Sequence, residues 1–386
     1  MGKDLLFING CVLLKDFVFH NCDVAVRNGK ISEIGSLVPK SEEIIDLKGR
    51  YLIPGLIDTH LHGAVGESFL NTTMEGIRKI AVFEAEQGVT AITPTISSAT
   101  DERTEAAINT VCSVIKTETN GAKITGINLE GPFLSKNRRG GHSSKMLQTP
   151  SVEKLKKFIA VSEGNIKILT LAPELENSAE TIEYARKENL VVGIGHSDGN
   201  YITAIEAIER GATISTHTFN AMPPLLHREP GILGAVLTDD RVTCEMICDL
   251  VHLHDSILRL IYRAKGDDKI NIISDSMYAA GLPDGEYYKE GQVRYVKNSV
   301  SMLENGTISG STKTIMKGVR NLVDLGIPLE SAVKMSSFNP ACTLGIQNLN
   351  GSISVGNWGD LVILDKNLAV IATFINGLQN YKGGIL

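Results

Sequence analysis

Short apolar runs and longer amphipathic stretches alternate along most of the chain. A first run passes through Leu56 and Ile57, and seven more follow at 89–95, 124–129, 166–171, 190–194, 213–216, 242–248 and 271–274. Each has the length of a buried strand. Between them, apolar positions recur at helical spacing. These stretches predict helices at 100–118, 151–160, 178–189, 200–210, 255–264, 312–325 and 329–338. A further helix opens at Thr72-Thr73-Met74-Glu75, a capping-box pattern, and ends near Gly88. Eight strands in alternation with helices predict a parallel sheet closed as a (β/α)8 barrel.

The two ends of the chain follow a different pattern. Residues 4–50 break into short alternating runs, with Asn28-Gly29 between two of them. Both residues accept the positive φ of a type I′ turn, so this pair predicts a hairpin. The far end has strand-like runs at 351–355, 360–364 and 370–375, separated by Gly356, Gly359 and Gly377. Together the termini predict one small β-sandwich domain, residues 1–53 with 349–386, beside a barrel over 54–348. A chain of 386 residues has room for both.

Composition narrows the function classes. The net charge of −6 argues against a nucleic-acid surface. No apolar run approaches the ~20 residues of a membrane span. The six cysteines are scattered without a C-x-x-C pair, and no secretory leader is visible, so reduced thiols in a cytoplasm are expected. Cys244 and Cys248 fit buried packing.

The chemistry gathers where predicted strands end. The first ends in His60 and His62, two residues apart and so on one face. Others end in Glu130 (INLEGPF), His196 (VGIGHS), His217 (ISTHTFNAM) and Asp275 (IISDSM). Barrel enzymes build their sites at these ends. Each group alone could be a satisfied core residue. At five strand ends they would need five separate buried partners, and one cation satisfies them together. Rival motifs fail. Gly193, Gly195 and Gly199 lack dinucleotide-fingerprint spacing, 306–313 lacks the Gly-Lys of a phosphate loop, and no glycine-elbow serine is present. A second His-x-His, His252 and His254, is expected to line the mouth of the site.

These residues resemble the amidohydrolase superfamily, and within it the deacetylases of N-acetyl amino-sugar 6-phosphates. The resemblance spans nearly the whole chain. It rests on PGLIDTHLHG, LEGPF, RRGGH, GHS, THTFNAMPPLLHREPG, SDSM, AAGLPDGEY, NGTISGS and GSISVGNWGDLVILD. It implies a divalent metal, one or two per chain, zinc or iron. Glu130, His196 and His217 would hold the first, and His60 and His62 would help hold a second. Glu130 would take the place of the modified lysine that bridges two metals in many superfamily members. Asp275 would move the water proton, and His142 would hydrogen-bond the oxyanion. Gly141, His142, Asn220, Ala221, Arg228, Asp249, His252, Ile308, Ser309 and Gly310 would surround the sugar phosphate. The implied reaction is hydrolysis of N-acetyl-D-glucosamine 6-phosphate to D-glucosamine 6-phosphate and acetate. The implied assembly is a homodimer in which Arg228 crosses to the neighbouring site. Alternatives are the galactosamine epimer as substrate, another amidohydrolase activity (N-acyl-amino-acid hydrolase or adenine deaminase), or a non-catalytic scaffold.

Overall fold

A computed structural model describes residues 4–384 except 41 and 290. Its centre is a parallel barrel of eight strands. In order they are Leu56–Leu61, Val89–Ser97, Ile127–Glu130, Ile166–Leu171, Val191–Ile194, Ala212–Ser215, Thr243–Ile247 and Ile270–Ile273. Each pairs in parallel with the next. The seam between the eighth and the first is joined at its C-terminal end. There the Asp275 amide donates to the His60 carbonyl at 2.9 Å and the His62 amide to the Ser276 carbonyl at 2.7 Å. All eight strands fall on the runs expected from sequence, because apolar stretches of this length are buried on both faces of a barrel sheet.

The helices differ more at their ends. The first runs Met74–Glu86 with Thr73 as its cap, accepting from the Gly76 amide. Thr72, read as the capping residue of the box, instead donates to Glu67 at 2.7 Å. The stretch expected at 329–338 divides into Leu329–Ser336 and Phe338–Thr343. Two features were not expected. Gly231–Thr238 forms a helix after the sixth strand. A three-stranded antiparallel sheet, Gly285–Lys289, Gln292–Lys297 and Val300–Leu303, rises after the eighth. No helix among the described residues is long and apolar enough to cross a membrane.

Both termini build a small sandwich. One sheet has four strands from the N-terminal segment. The other has six and combines Cys11–Leu13, Phe19–Asn21 and Tyr51–Pro54 with Leu361–Leu364, Val370–Ile375 and Leu378–Lys382. Its core includes Phe7 and Phe374, ring centroids 5.1 Å apart and edge to face. Asn28 and Gly29 turn the hairpin at φ of 50° and 77°, as the sequence implies. The run at 351–355 forms no strand and contributes a bridge from Ile353 to Leu14. Gly55 alone separates the sandwich strand Tyr51–Pro54 from the first barrel strand. A Cβ there would lie 2.1 Å from Thr90 Oγ1, so the two units meet at a point only glycine fits.

Candidate active site

The strand ends open into a cavity of about 550 Å³. The backbone at four of its non-glycine residues lies in the left-handed region, with φ of 48° at His196, 29° at His217, 52° at Ala221 and 47° at Asp275. L-residues adopt this region at a cost, and such strain gathers at sites where side-chain direction matters. In GIGHS the glycines serve packing. A Cβ on Gly195 would meet Thr216 Cβ at 2.6 Å, so the strand that presents His196 can approach its neighbour.

Glu130 is the centre of the cluster. Its Oε1 lies 3.1 Å from His196 Nε2, 3.0 Å from His217 Nε2 and 3.4 Å from His60 Nε2. Its Oε2 lies 3.1 Å from His142 Nε2 and 3.3 Å from His62 Nε2. Asp275 Oδ1 is 3.2 Å from His62 Nε2 and 3.8 Å from His60 Nε2. Other contacts aim the rings. His196 Nδ1 donates to the Arg138 carbonyl at 2.8 Å, and His62 Nδ1 meets Ser97 Oγ at 2.8 Å.

Hydrogen bonds alone do not satisfy this set. A neutral His196 with its proton on Nδ1 turns a bare Nε2 toward the Glu130 carboxylate. His196 Nε2 and His217 Nε2 are also 3.0 Å apart. Neighbouring ligand atoms around a tetrahedral zinc are separated by about 3.3 Å, given bond lengths near 2.0–2.1 Å. The donor set therefore fits a divalent cation. His60, His62 and Asp275 form one group with ligand atoms within 4.8 Å of one another, and Glu130, His142 and His196 form another.

The electrostatics agree. Burial alone would push the His60 imidazolium down, but Glu245 and Glu130 raise it well above the ordinary range. Burial likewise opposes charge on His62, yet Asp275 and Glu130 lift it to about 9. Burial favours a neutral Asp275, but His62 and His60 hold its carboxyl at about 2. Glu130 is drawn well below the carboxylate range by His142 and His60, against its burial. Three buried carboxylates thus call for positive charge among the rings.

The other expected residues divide into two groups. Gly141, His142, Asn220, Ala221, His252, Ile308, Ser309 and Gly310 line the cavity with His62, Glu130, His196, His217 and Asp275. His60, Asp249 and Arg228 do not line it. His60 is fully buried behind it. Asp249 accepts from His252 Nδ1 at 2.8 Å and from Ser311 Oγ at 2.9 Å, so its carboxylate orients His252. Arg228 is exposed and hydrogen-bonds His227 Nε2 at 2.8 Å. The expectation that the second His-x-His lines the mouth holds for His252 alone. His254 is exposed and caps the helix Asp255–Lys265. A strand presents alternate residues to one face only while it stays extended, and the chain turns after Asp249.

Sequence reasoning missed Glu245, which contacts His60 from the middle of the seventh strand, and Arg294 and Gln292, which reach the cavity from the antiparallel insert. A lone charge inside the apolar run 242–248 was the available signal for Glu245. For the insert the signal was its turns at Gly291 and Asn298-Ser299, set between half-exposed strands of mixed residues.

A (β/α)8 barrel with four imidazoles and two carboxylates at its strand ends has the architecture of a metal-dependent barrel hydrolase. The chain belongs to the Amidohydrolase family, whose model matches residues 51–380. It is 34% identical over 357 residues to the N-acetylglucosamine-6-phosphate deacetylase of Lysinibacillus sphaericus, covering 92% of each chain. It is 32% identical to the N-acetylgalactosamine-6-phosphate deacetylase of Escherichia coli O157:H7, covering 89% of this chain and 91% of that one. Among solved structures, it is similar to an N-acetyl-D-glucosamine-6-phosphate deacetylase variant from Mycobacterium smegmatis in complex with N-acetyl-D-glucosamine-6-phosphate. That likeness has a TM-score of 0.93 and 29% identity, over 99% of this chain and all of the other.

Proposed function

We propose that the chain hydrolyses the acetamide of N-acetyl-D-glucosamine 6-phosphate to D-glucosamine 6-phosphate and acetate. The observation that carries this is the Glu130-centred cluster beside Asp275 on a cavity wall, in a chain whose relatives bear deacetylase names. When bound by Glu130, His196 and His217, with His60 and His62 offering a second place, zinc or iron supplies polarisation of the acetyl carbonyl and acidifies water. Asp275 takes the water proton and returns it to the departing amine. His62 and His60 hold its carboxyl at about 2, so it is ionised and has a lone pair open to the proton. His142, kept neutral by burial, donates to the developing oxyanion. Asn220, Ala221, His252 and the 308–310 loop surround the sugar phosphate. Gly141 packs against that loop, since a Cβ there would meet Ser309 Oγ at 2.4 Å.

We assign Arg228 to the partner's site in a homodimer. Two facts support this: its guanidinium lies outside its own cavity, and Leu225 and Leu226 beside it are 42% and 53% exposed. The cysteines among the described residues are free, which supports a reducing cytoplasm. A second reading, the galactosamine 6-phosphate epimer, is favoured by the relative of that name.

Chelator treatment tests the metal. Deacetylation should fall to background and return with zinc or iron. Full turnover in protein shown by elemental analysis to be metal-free would contradict it.

A further inference from the structure

The seventh barrel strand, TCEMI, carries one charged side chain, Glu245. It is 1% exposed, and burial of a carboxylate is costly unless donors face it. Two do. Glu245 Oε2 lies 3.0 Å from His60 Nδ1 and 3.2 Å from the His217 backbone amide.

The first contact decides a tautomer. A carboxylate only accepts, so Nδ1 of His60 keeps a ring proton and Nε2 is the nitrogen left for a cation. That Nε2 is buried and has no hydrogen-bond partner among the described residues. It faces Glu130 Oε1 at 3.4 Å and Asp275 Oδ1 at 3.8 Å. With two carboxylates facing it, this nitrogen carries either a second proton or a cation. The second contact fixes the backbone at His217, where φ is 29°. One carboxylate therefore grips a side chain of one cation place and the main chain of the other.

We propose that Glu245 is a positioning residue of the metal centre, holding His60 with Nε2 free to ligate a second cation. The proposal rests on the metal-dependent reading above. Carboxylate–imidazole–metal chains of this kind typically contribute about 10–100-fold to metal affinity.

The test compares wild type, Glu245→Gln and Glu245→Met. Gln keeps an acceptor without the charge, and Met removes both. Each protein is stripped with chelator and titrated with zinc against a competing chromogenic chelator. The melting temperature of the metal-free form is followed in parallel. Wild type should take up two zinc ions per chain. The second should weaken about 10–100-fold in Glu245→Met and less in Glu245→Gln, with the first held within about threefold. A second zinc bound as tightly in Glu245→Met as in wild type overturns the proposal. So does equal weakening of both ions alongside a lower metal-free melting temperature, which marks a merely structural role. A wild type that takes up one zinc overturns it and leaves the deacetylase reading standing. A wild type that takes up none sinks the metal-dependent reading as well.

Discussion

At the residue scale, three of the nitrogens aimed at Glu130 are set by what their rings touch elsewhere. His196 leans on the Arg138 carbonyl, His62 on Ser97 and His60 on Glu245. The ligating types were legible because polar residues at the ends of apolar strands need an explanation. The partners were not, since a carbonyl or a serine leaves no mark in sequence and Glu245 lies inside a strand. Asp275 carries the firmest residue-level prediction. Asp275→Asn keeps the shape but removes the proton acceptor, and general acid–base steps contribute roughly 10²–10⁴-fold. Turnover should fall by at least that range while bound metal and melting temperature hold. Near-normal turnover would exclude the role. His196→Ala should instead lower bound metal by about one ion per chain, because it removes a ring that touches Glu130 Oε1 directly.

At the scale of elements, the eight strands were readable and two later features were not. Gly231–Thr238 is apolar on nearly every face, so it shows no period. The sheet of 285–303 covers the mouth with half-exposed strands of mixed composition, and its turns at Gly291 and Asn298-Ser299 were passed over. Most helix starts were readable to within a residue, but the helix expected from 312 begins at Ile315. The shift from Thr72 to Thr73 follows from Thr72 spending its hydroxyl on Glu67. Thr73→Ala should therefore cost about 1 kcal/mol in denaturant unfolding, and Thr73→Ser should restore most of it. The close approach at Gly195 makes a second prediction. Gly195→Ala pushes a methyl to 2.6 Å from Thr216 Cβ and should destabilise by roughly 1–3 kcal/mol.

At the scale of the whole molecule, Arg228 decides whether one chain makes a complete site. Its loop carries three prolines, at 223, 224 and 230, which stiffen it, and its side chain does not line its own cavity. If the arginine serves the neighbour, mixing inactive Arg228→Ala with inactive Asp275→Asn yields hybrid dimers in which one site carries both lesions and the other none. Activity should then return in proportion to hybrids counted by mass. A mixture that forms hybrids and stays inactive places Arg228 in its own barrel. The central claim is the substrate, and the direct measurement is amine release from N-acetylglucosamine and N-acetylgalactosamine, each with and without the 6-phosphate. Charge-assisted hydrogen bonds to the phosphate contribute roughly 1.5–3 kcal/mol. The account predicts release from N-acetylglucosamine 6-phosphate with kcat/KM at least about tenfold above the unphosphorylated sugar. Equal kcat/KM on the two, or no amine from any of the four with metal bound, would contradict it.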